Sequence, residues 1–203
     1  MRESTVRELY ELWAGDSELR DTLQRSLDPR GMDSLFESFS ELGPQPRQLV
    51  VDVGARDASH AIRLVREHGL RAVALDPVPL HCEIARTKIA EAQLAEEIEV
   101  VEAAVESMPF ADASVDWLWC RDVLVHVDAR RALAECARVL QSGGALLAYV
   151  TLSTERLEPR ERAELVERYG EAAVAAARGG LLWGIYQLLG KLCPTVYVWD
   201  RRA

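Results

Sequence analysis

The residues whose types and spacing are best suited to chemistry are Asp52, Gly54 and Asp76, which lie at the ends of two short apolar runs. Gly54 has no side chain, so the backbone can turn sharply there and a ligand can approach it closely. Asp76 follows Asp52 by about 24 residues, a spacing at which a carboxylate can accept hydrogen bonds from both hydroxyls of a ribose. The pattern favours a nucleotide site. The alternative, in which Asp76 only caps the turn before Pro77, stays open.

The turn after the first apolar run reads DVGARDA over residues 52–58. It lacks two of the three glycines of G-x-G-x-x-G, and a pyrophosphate needs the close backbone approach that those glycines permit. This weighs against a nicotinamide dinucleotide and an oxidoreductase.

The elements that must position these residues alternate between strands and helices. This alternation predicts a parallel sheet with right-handed crossovers, in which ligands bind at the carboxyl ends of the strands. The predicted fold is α/β, with a Rossmann-like, mostly parallel sheet of six or seven strands flanked by helices. The predicted strands cover residues 48–54, 71–76, 98–101, 114–120 and 145–151, and the helices 58–69, 80–95 and 129–140.

The two ends of the chain differ from this pattern. Apolar residues at helical spacing predict an N-terminal helical cap over residues 1–44, which includes a helix over 34–42, and the Rossmann-like domain then covers 45–203. Near the other end we expect a helix from residue 159, further helix over 171–192 and a last strand at 196–199. No segment there predicts a further strand, and an exposed apolar edge would favour a homodimer.

Composition narrows the function classes. A net charge of −9 and a pI near 5 weigh against a nucleic-acid partner. No apolar run is long enough for a membrane span, and no signal peptide is evident, so a cytoplasmic location is expected. The four cysteines are widely spaced, which predicts reduced thiols and no metal site.

Three further segments make the likeness to a known family specific. Residues 106–116 (ESMPFADASVD), 119–127 (WCRDVLVHV) and 137–144 (ARVLQSGG) occur in the order and spacing of the corresponding family motifs. With the first turn, they resemble the class I S-adenosylmethionine-dependent methyltransferases, in particular the type 11 small-molecule group. The resemblance implies methyl transfer from S-adenosylmethionine to a small-molecule acceptor by in-line displacement.

The resemblance also implies roles for matching positions. Asp52 and the backbone of the turn would hold the methionine end of the cofactor, Asp76 the ribose, and residues 104–106 the adenine. The carbonyl group of Cys120 would lie near the cofactor's amino group. The cofactor-binding residues expected on this basis are Asp52, Gly54, Ala55, Arg56, Asp76, Pro77, Ala104, Val105, Glu106, Cys120 and Arg121.

Three positions depart from the family pattern. Arg56 and Ala58 replace glycines, and Ala104 stands where many relatives have an adenine-binding aspartate. Arg56 could reach the cofactor carboxylate or could be a solvated loop charge. The departures and the short C-terminal region support an alternative function, a non-catalytic protein that binds S-adenosylmethionine or S-adenosylhomocysteine.

The acceptor side is less well defined. His126, near the end of the fourth strand, is the candidate general base and acceptor contact, although a packing or capping role is an equal alternative. Tyr10 and Trp13 are candidate acceptor contacts, with plain core packing as the alternative. Arg121 and Asp122 either orient a polar acceptor or form a local ion pair. The other histidines, at positions 60, 68 and 81, are expected at the surface.

Overall fold

The computed structural model describes residues 33–124, 126–153, 155–163 and 192–201. Contacts divide the chain into two compact units, one formed by residues 35–150 and 195–203 and the other by residues 1–34 and 151–194. The first unit contains the sheet core and the candidate site. The sequence-based domain boundary at residue 44 stays a prediction.

The described residues form one six-stranded sheet in the order β3-β2-β1-β4-β5-β6. The first five strands pair in parallel. Reciprocal hydrogen bonds between Arg201 and residues 143–144 place the end of β6 beside the start of β5, so these two strands run antiparallel. The strands are β1 (Leu49–Val53), β2 (Arg71–Asp76), β3 (Ile98–Glu102), β4 (Val115–Arg121), β5 (Leu140–Ser153) and β6 (Leu192–Asp200). The predicted fold class is confirmed.

Four bounded helices flank these strands, namely α1 (Ser34–Glu41), α2 (Ser59–His68), α3 (Pro79–Glu91) and α4 (Ala129–Val139). Local sequence explains several of their ends. Pro79 begins α3, where its missing N–H costs nothing. Asp128 caps α4 by accepting hydrogen bonds from two backbone N–H groups. Gly69 ends α2 in a left-handed conformation, and its N–H bonds to the carbonyl oxygen of Val65. None of the described helices has the length and apolarity that crossing a membrane requires.

The sheet buries a different set of side chains on each face. On one face, aromatic rings of α1 pack on β4: the ring centres of Phe36 and Trp119 are 4.4 Å apart, and those of Phe39 and Trp117 are 5.3 Å apart. The other face is aliphatic and includes Leu118 and the buried side of α4. Because both faces are covered, the strands carry continuous apolar runs.

The main difference from the sequence-based bounds is at β5, which begins at Leu140 and not at residue 145. Gly143 and Gly144, which precede the predicted strand, are part of the observed one. A Cβ at Gly144 would lie 2.6 Å from the carbonyl oxygen of Asp116, so this glycine permits a close approach of two backbones. Cytoplasmic location and homodimerisation stay predictions.

Candidate functional site

The turn between β1 and α2 is built around Gly54, whose φ is +70°. The N–H groups of Gly54 and Ala55 both donate to the carbonyl oxygen of Leu75, at 2.8 and 3.1 Å. A Cβ at Gly54 would overlap a methyl group of Val123, in the segment after β4. Glycine is therefore required here both by the left-handed backbone and by the packing of two loops.

Two residues of the same turn are left-handed without being glycine. Arg56 has φ +50° and Ala58, the N-cap of α2, has φ +58°. These are the positions at which the family pattern has glycines, so the backbone shape is retained although the residue types have changed. Each such residue carries a conformational cost of about 1–3 kcal/mol, which surrounding contacts must offset.

Asp76 provides some of those contacts. It is 4% exposed, and its Oδ2 accepts a hydrogen bond from the N–H of Arg56 at 3.0 Å. Its Oδ1 accepts from the N–H of Val78 at 2.9 Å and lies 3.0 Å from Nδ1 of His81. Asp76 therefore joins the turn after β1 to the turn after β2. The alternative that it only caps the turn before Pro77 accounts for the bond to Val78 but not for the bond to Arg56.

Lys88 makes a second connection to the turn, from α3. Its Nζ lies 2.6 Å from Oδ2 of Asp57 and 2.6 Å from Oγ of Ser59. Burial alone would raise the pKa of Asp57, but hydrogen bonds from Lys88 and Ser59 outweigh it and hold that pKa below its ordinary value. Asp57 is therefore ionised. Its contacts with Lys88 and Ser59 hold the turn in place between the two left-handed residues Arg56 and Ala58.

Asp52 lies behind the turn and is 1% exposed. Its Oδ2 accepts a hydrogen bond from the N–H of Ala61, in the first turn of α2, at 3.1 Å. Burial raises the pKa of Asp52, and the hydrogen bond from Ala61 lowers it by less, so that the pKa is about 8. Its side chain therefore anchors the start of α2. The contact of Asp52 with the cofactor stays a prediction.

The end of β4 forms the other side of the candidate site. Cys120 is buried, and burial raises the pKa of its thiol, so the thiol is neutral. Nη1 of Arg121 lies 3.3 Å from Nε2 of His60, and Nε lies 3.7 Å from Oδ2 of Asp122. The local ion pair expected between Arg121 and Asp122 is therefore present, at a distance longer than a hydrogen bond.

The remaining predicted residues are distributed around this edge. Val105 is buried in the aliphatic core, and Ala104 and Glu106 are half-buried. Oε1 of Glu106 accepts a hydrogen bond from the N–H of Asp128 at 3.4 Å. Pro77 and His126 are exposed. Tyr10 and Trp13 lie outside the described residues.

Sequence reasoning missed three residues of the site. His60 was expected at the surface, but its ring packs against both Phe36 and Trp119, with its centre 5.8 Å from each of theirs. His81 contacts Asp76, and Lys88 contacts the turn. His81 could have been found from its position five residues after Asp76 in the first turn of a helix. No sequence signal identifies His60 or Lys88, because their partners are distant along the chain.

Strand order and site geometry together define the class. The order reverses between β1 and β4, and the glycine turn and Asp76 lie at the carboxyl edge beside that point. This is the Rossmann-like arrangement, in which ligands occupy the crevice at the switch point. A family profile described as Methyltransferase domain matches residues 51–148. The resemblance to the type 11 methyltransferase-domain family that the motifs predicted is therefore confirmed over that part of the chain.

Similarity to individual proteins agrees with this assignment. The chain is 35% identical over 116 residues to a sarcosine/dimethylglycine N-methyltransferase of Halorhodospira halochloris, which covers 57% of this chain and 41% of that protein. The chain spans about half the length of the curated relatives it matches.

Two solved structures share the fold at low sequence identity. A protein of Galdieria sulphuraria, proposed to be a sarcosine dimethylglycine methyltransferase, superposes with a TM-score of 0.73 at 20% identity, over 97% of this chain and 96% of that one. A geranyl diphosphate C-methyltransferase of Streptomyces coelicolor A3(2), in complex with S-adenosyl-L-homocysteine, gives a TM-score of 0.70 at 14% identity, over 92% and 83%.

Proposed function

We propose that this protein binds S-adenosylmethionine and transfers its methyl group to a small-molecule acceptor. The observation that carries the proposal is the left-handed turn at Gly54, tied through Arg56 to the buried carboxylate of Asp76, at the switch point of a methyltransferase-family sheet. Curated relatives include proteins named as N-methyltransferases, which favours a catalytic protein over the non-catalytic alternative.

The residues present are compatible with the ribose of the cofactor. A carboxylate offers about four acceptor positions, and the chain uses two of those of Asp76 for backbone N–H groups and one for His81. The backbone donors are fixed, whereas His81 is a side chain in the first turn of α3 and can rotate away. Asp76 would then accept hydrogen bonds from two ribose hydroxyls.

The rest of the cofactor would extend along the carboxyl edge on both sides of Asp76. Residues 104–106, which follow β3, would border the adenine, with Pro77 beside the ribose. The backbone of Gly54 and Ala55 and the carbonyl group of Cys120 would lie at the methionine end. Ala104 offers no side-chain acceptor to the adenine amino group, so we expect weaker binding than an aspartate at this position would give.

The reaction requires little covalent chemistry from the protein. The cofactor supplies a methyl group on a sulfonium, which is an activated leaving group. The protein must align the acceptor and exclude water. His126, exposed in the segment after β4, would accept a proton where the acceptor must lose one. The His126→Ala variant should bind the cofactor normally and lose turnover.

The first test is a calorimetric titration with S-adenosylmethionine and S-adenosylhomocysteine, with NADH as the control. We expect micromolar binding of the first two ligands and none of NADH. Formation of S-adenosylhomocysteine in the presence of dimethylglycine, sarcosine or other small amines would then test turnover. Absence of binding to either adenosyl ligand would overturn the proposal, and binding without turnover of any acceptor would favour the non-catalytic alternative.

A further inference from the structure

Arg121 is the last residue of β4 and carries a positive charge in a mostly enclosed position. Its side chain is 18% exposed. In the sheet it pairs with Tyr149 of β5, and its guanidinium carbon lies 5.4 Å from the centre of the Tyr149 ring. The charge therefore lies at the carboxyl end of β4, beside β5, and ligands of this fold bind at the carboxyl ends of the strands.

The hydrogen bonds of this guanidinium are few for its degree of burial. An arginine has five N–H donors in a fixed plane. Within the described part of the chain, the guanidinium makes one hydrogen bond, from Nη1 to Nε2 of His60 at 3.3 Å. The carboxylate of Asp122 is 3.7 Å from Nε, and no described residue accepts a hydrogen bond from Nη2. The remaining N–H groups are therefore available to a ligand that enters the crevice at this edge.

His60 does not neutralise the positive charge of Arg121. Burial, and after it the nearby charge of Arg121, lower the pKa of His60 to about 4. The imidazole is therefore neutral near pH 7 and accepts a hydrogen bond from Arg121 without contributing a charge. Asp57 acts in the opposite direction on this pKa, and Arg56 and Arg63 make smaller contributions that lower it.

We propose that Arg121 binds a carboxylate group at the site of methyl transfer. A planar guanidinium with adjacent open N–H groups matches a carboxylate with two parallel hydrogen bonds. The inference rests on the proposed function and goes further, because it names the chemical group that this side of the site recognises. That carboxylate belongs either to the methionine end of the cofactor or to an acceptor such as an N-methylated amino acid, and the experiment separates these sources.

The test compares the wild type with Arg121→Gln and Arg121→Lys by calorimetry. The probes are S-adenosylhomocysteine, which carries the carboxylate, and 5′-methylthioadenosine, which lacks the amino-acid part. A third titration adds dimethylglycine to protein saturated with S-adenosylhomocysteine. Arg121→Lys retains the charge without the planar pair of donors, and it keeps the test informative if Arg121→Gln fails to fold. Arg63→Gln is the matched control, since Arg63 also lies over an aromatic ring, 3.8 Å from the centre of Phe36.

Two results support the proposal. If Arg121→Gln weakens S-adenosylhomocysteine about tenfold and leaves 5′-methylthioadenosine within twofold, the carboxylate is that of the cofactor. If the affinities for both adenosyl ligands are unaffected and dimethylglycine binds about tenfold more weakly, the carboxylate that Arg121 binds is that of the acceptor. Arg121→Lys should lie between wild type and Arg121→Gln, and Arg63→Gln should match the wild type.

Two results overturn it. Equal weakening of S-adenosylhomocysteine and 5′-methylthioadenosine would make Arg121 a structural residue. No carboxylate-dependent effect with any probe would mean that its donors serve no ligand. A wild-type protein that binds no adenosyl ligand would instead overturn the proposed function itself, so the two failures are distinguishable.

Discussion

The two sides of the candidate site differ in how their polar groups are satisfied. On the side of β1 and β2, Asp76, Asp57 and Lys88 bond to the chain itself and hold a turn with three left-handed residues. On the side of β4, Arg121 makes one hydrogen bond to described residues. The first side is therefore preorganised before any ligand binds. On the second side, the proposed carboxylate group of a ligand would supply further hydrogen bonds to Arg121. Changes on the first side should therefore affect folding as well as affinity.

The largest effect is expected for Gly54→Ala. The added methyl group overlaps Val123 and forces alanine into a left-handed conformation, which together should cost about 4 kcal/mol of unfolding free energy. Gly43→Ala is the control, because Gly43 has φ +67° with open space around its Cβ position. Urea unfolding measures both variants. Equal losses would show that the contact with Val123 contributes nothing.

A pH dependence should follow from Asp52 at the base of the turn. Because its folded pKa is raised from an ordinary 3.8 to about 8, the folded protein keeps a proton that the unfolded chain loses above pH 4. This group's stabilising contribution is therefore largest at low pH, falls as pH rises from about 4 to 8, and is constant above that.

Asp52→Asn keeps an acceptor for the N–H of Ala61 and removes the titration. Between pH 5 and 8, the unfolding free energy of the wild type should fall by about 3 kcal/mol more than that of the variant. The measurement is chemical unfolding at each pH. Parallel curves for the two proteins would show that Asp52 is ionised in the folded state at neutral pH.

Asp76→Ala should weaken S-adenosylmethionine binding by about 2 kcal/mol, since it removes charged hydrogen bonds to the ribose and loosens the turn. Asp116→Ala is the control. Asp116 accepts hydrogen bonds from Leu49 and Gln48 near the start of β4, at the opposite edge of the sheet, so its loss should reduce stability and spare affinity. Unchanged affinity of the Asp76 variant in calorimetry would mean that the cofactor binds elsewhere.

The smallest effect is expected for Lys88→Ala, about 1 kcal/mol or less, because the side chains of Lys88 and Asp57 are about two-fifths exposed. If Lys88 offsets the strain of the turn, its loss should matter less in an Ala58→Gly background, where glycine adopts the left-handed conformation freely. A double-mutant cycle on unfolding free energy and S-adenosylhomocysteine affinity measures this coupling.

Glu67→Ala, which breaks the exposed Arg63–Glu67 ion pair in α2, is the control for that cycle. It removes a pair of similar exposure that does not touch the turn, and it should show no coupling to Ala58→Gly. Additive effects of the Lys88 and Ala58 changes would separate Lys88 from the conformation of the turn.

The amino-acid sequence was enough to predict the repeating order of strands and helices, the ends of β2, the glycine turn and the resemblance to methyltransferases. These features are local: apolar runs, glycine and capping residues act over a few neighbouring positions, and the family motifs are short and ordered. The same locality explains the error at β5. Gly143 and Gly144 predict a turn by composition, but pairing with β4 and with Arg201 makes them part of a strand.

Which side chains contact each other depends on the tertiary fold. His60 lies 61 positions from Arg121, and Lys88 lies 31 from Asp57, so their contacts depend on how parallel strands align at one edge. The structure also decided that Asp52 is buried behind the turn, because burial is set by the packing of α2 on the sheet. Charge and pKa at this site therefore follow from the packing of residues that are distant along the chain.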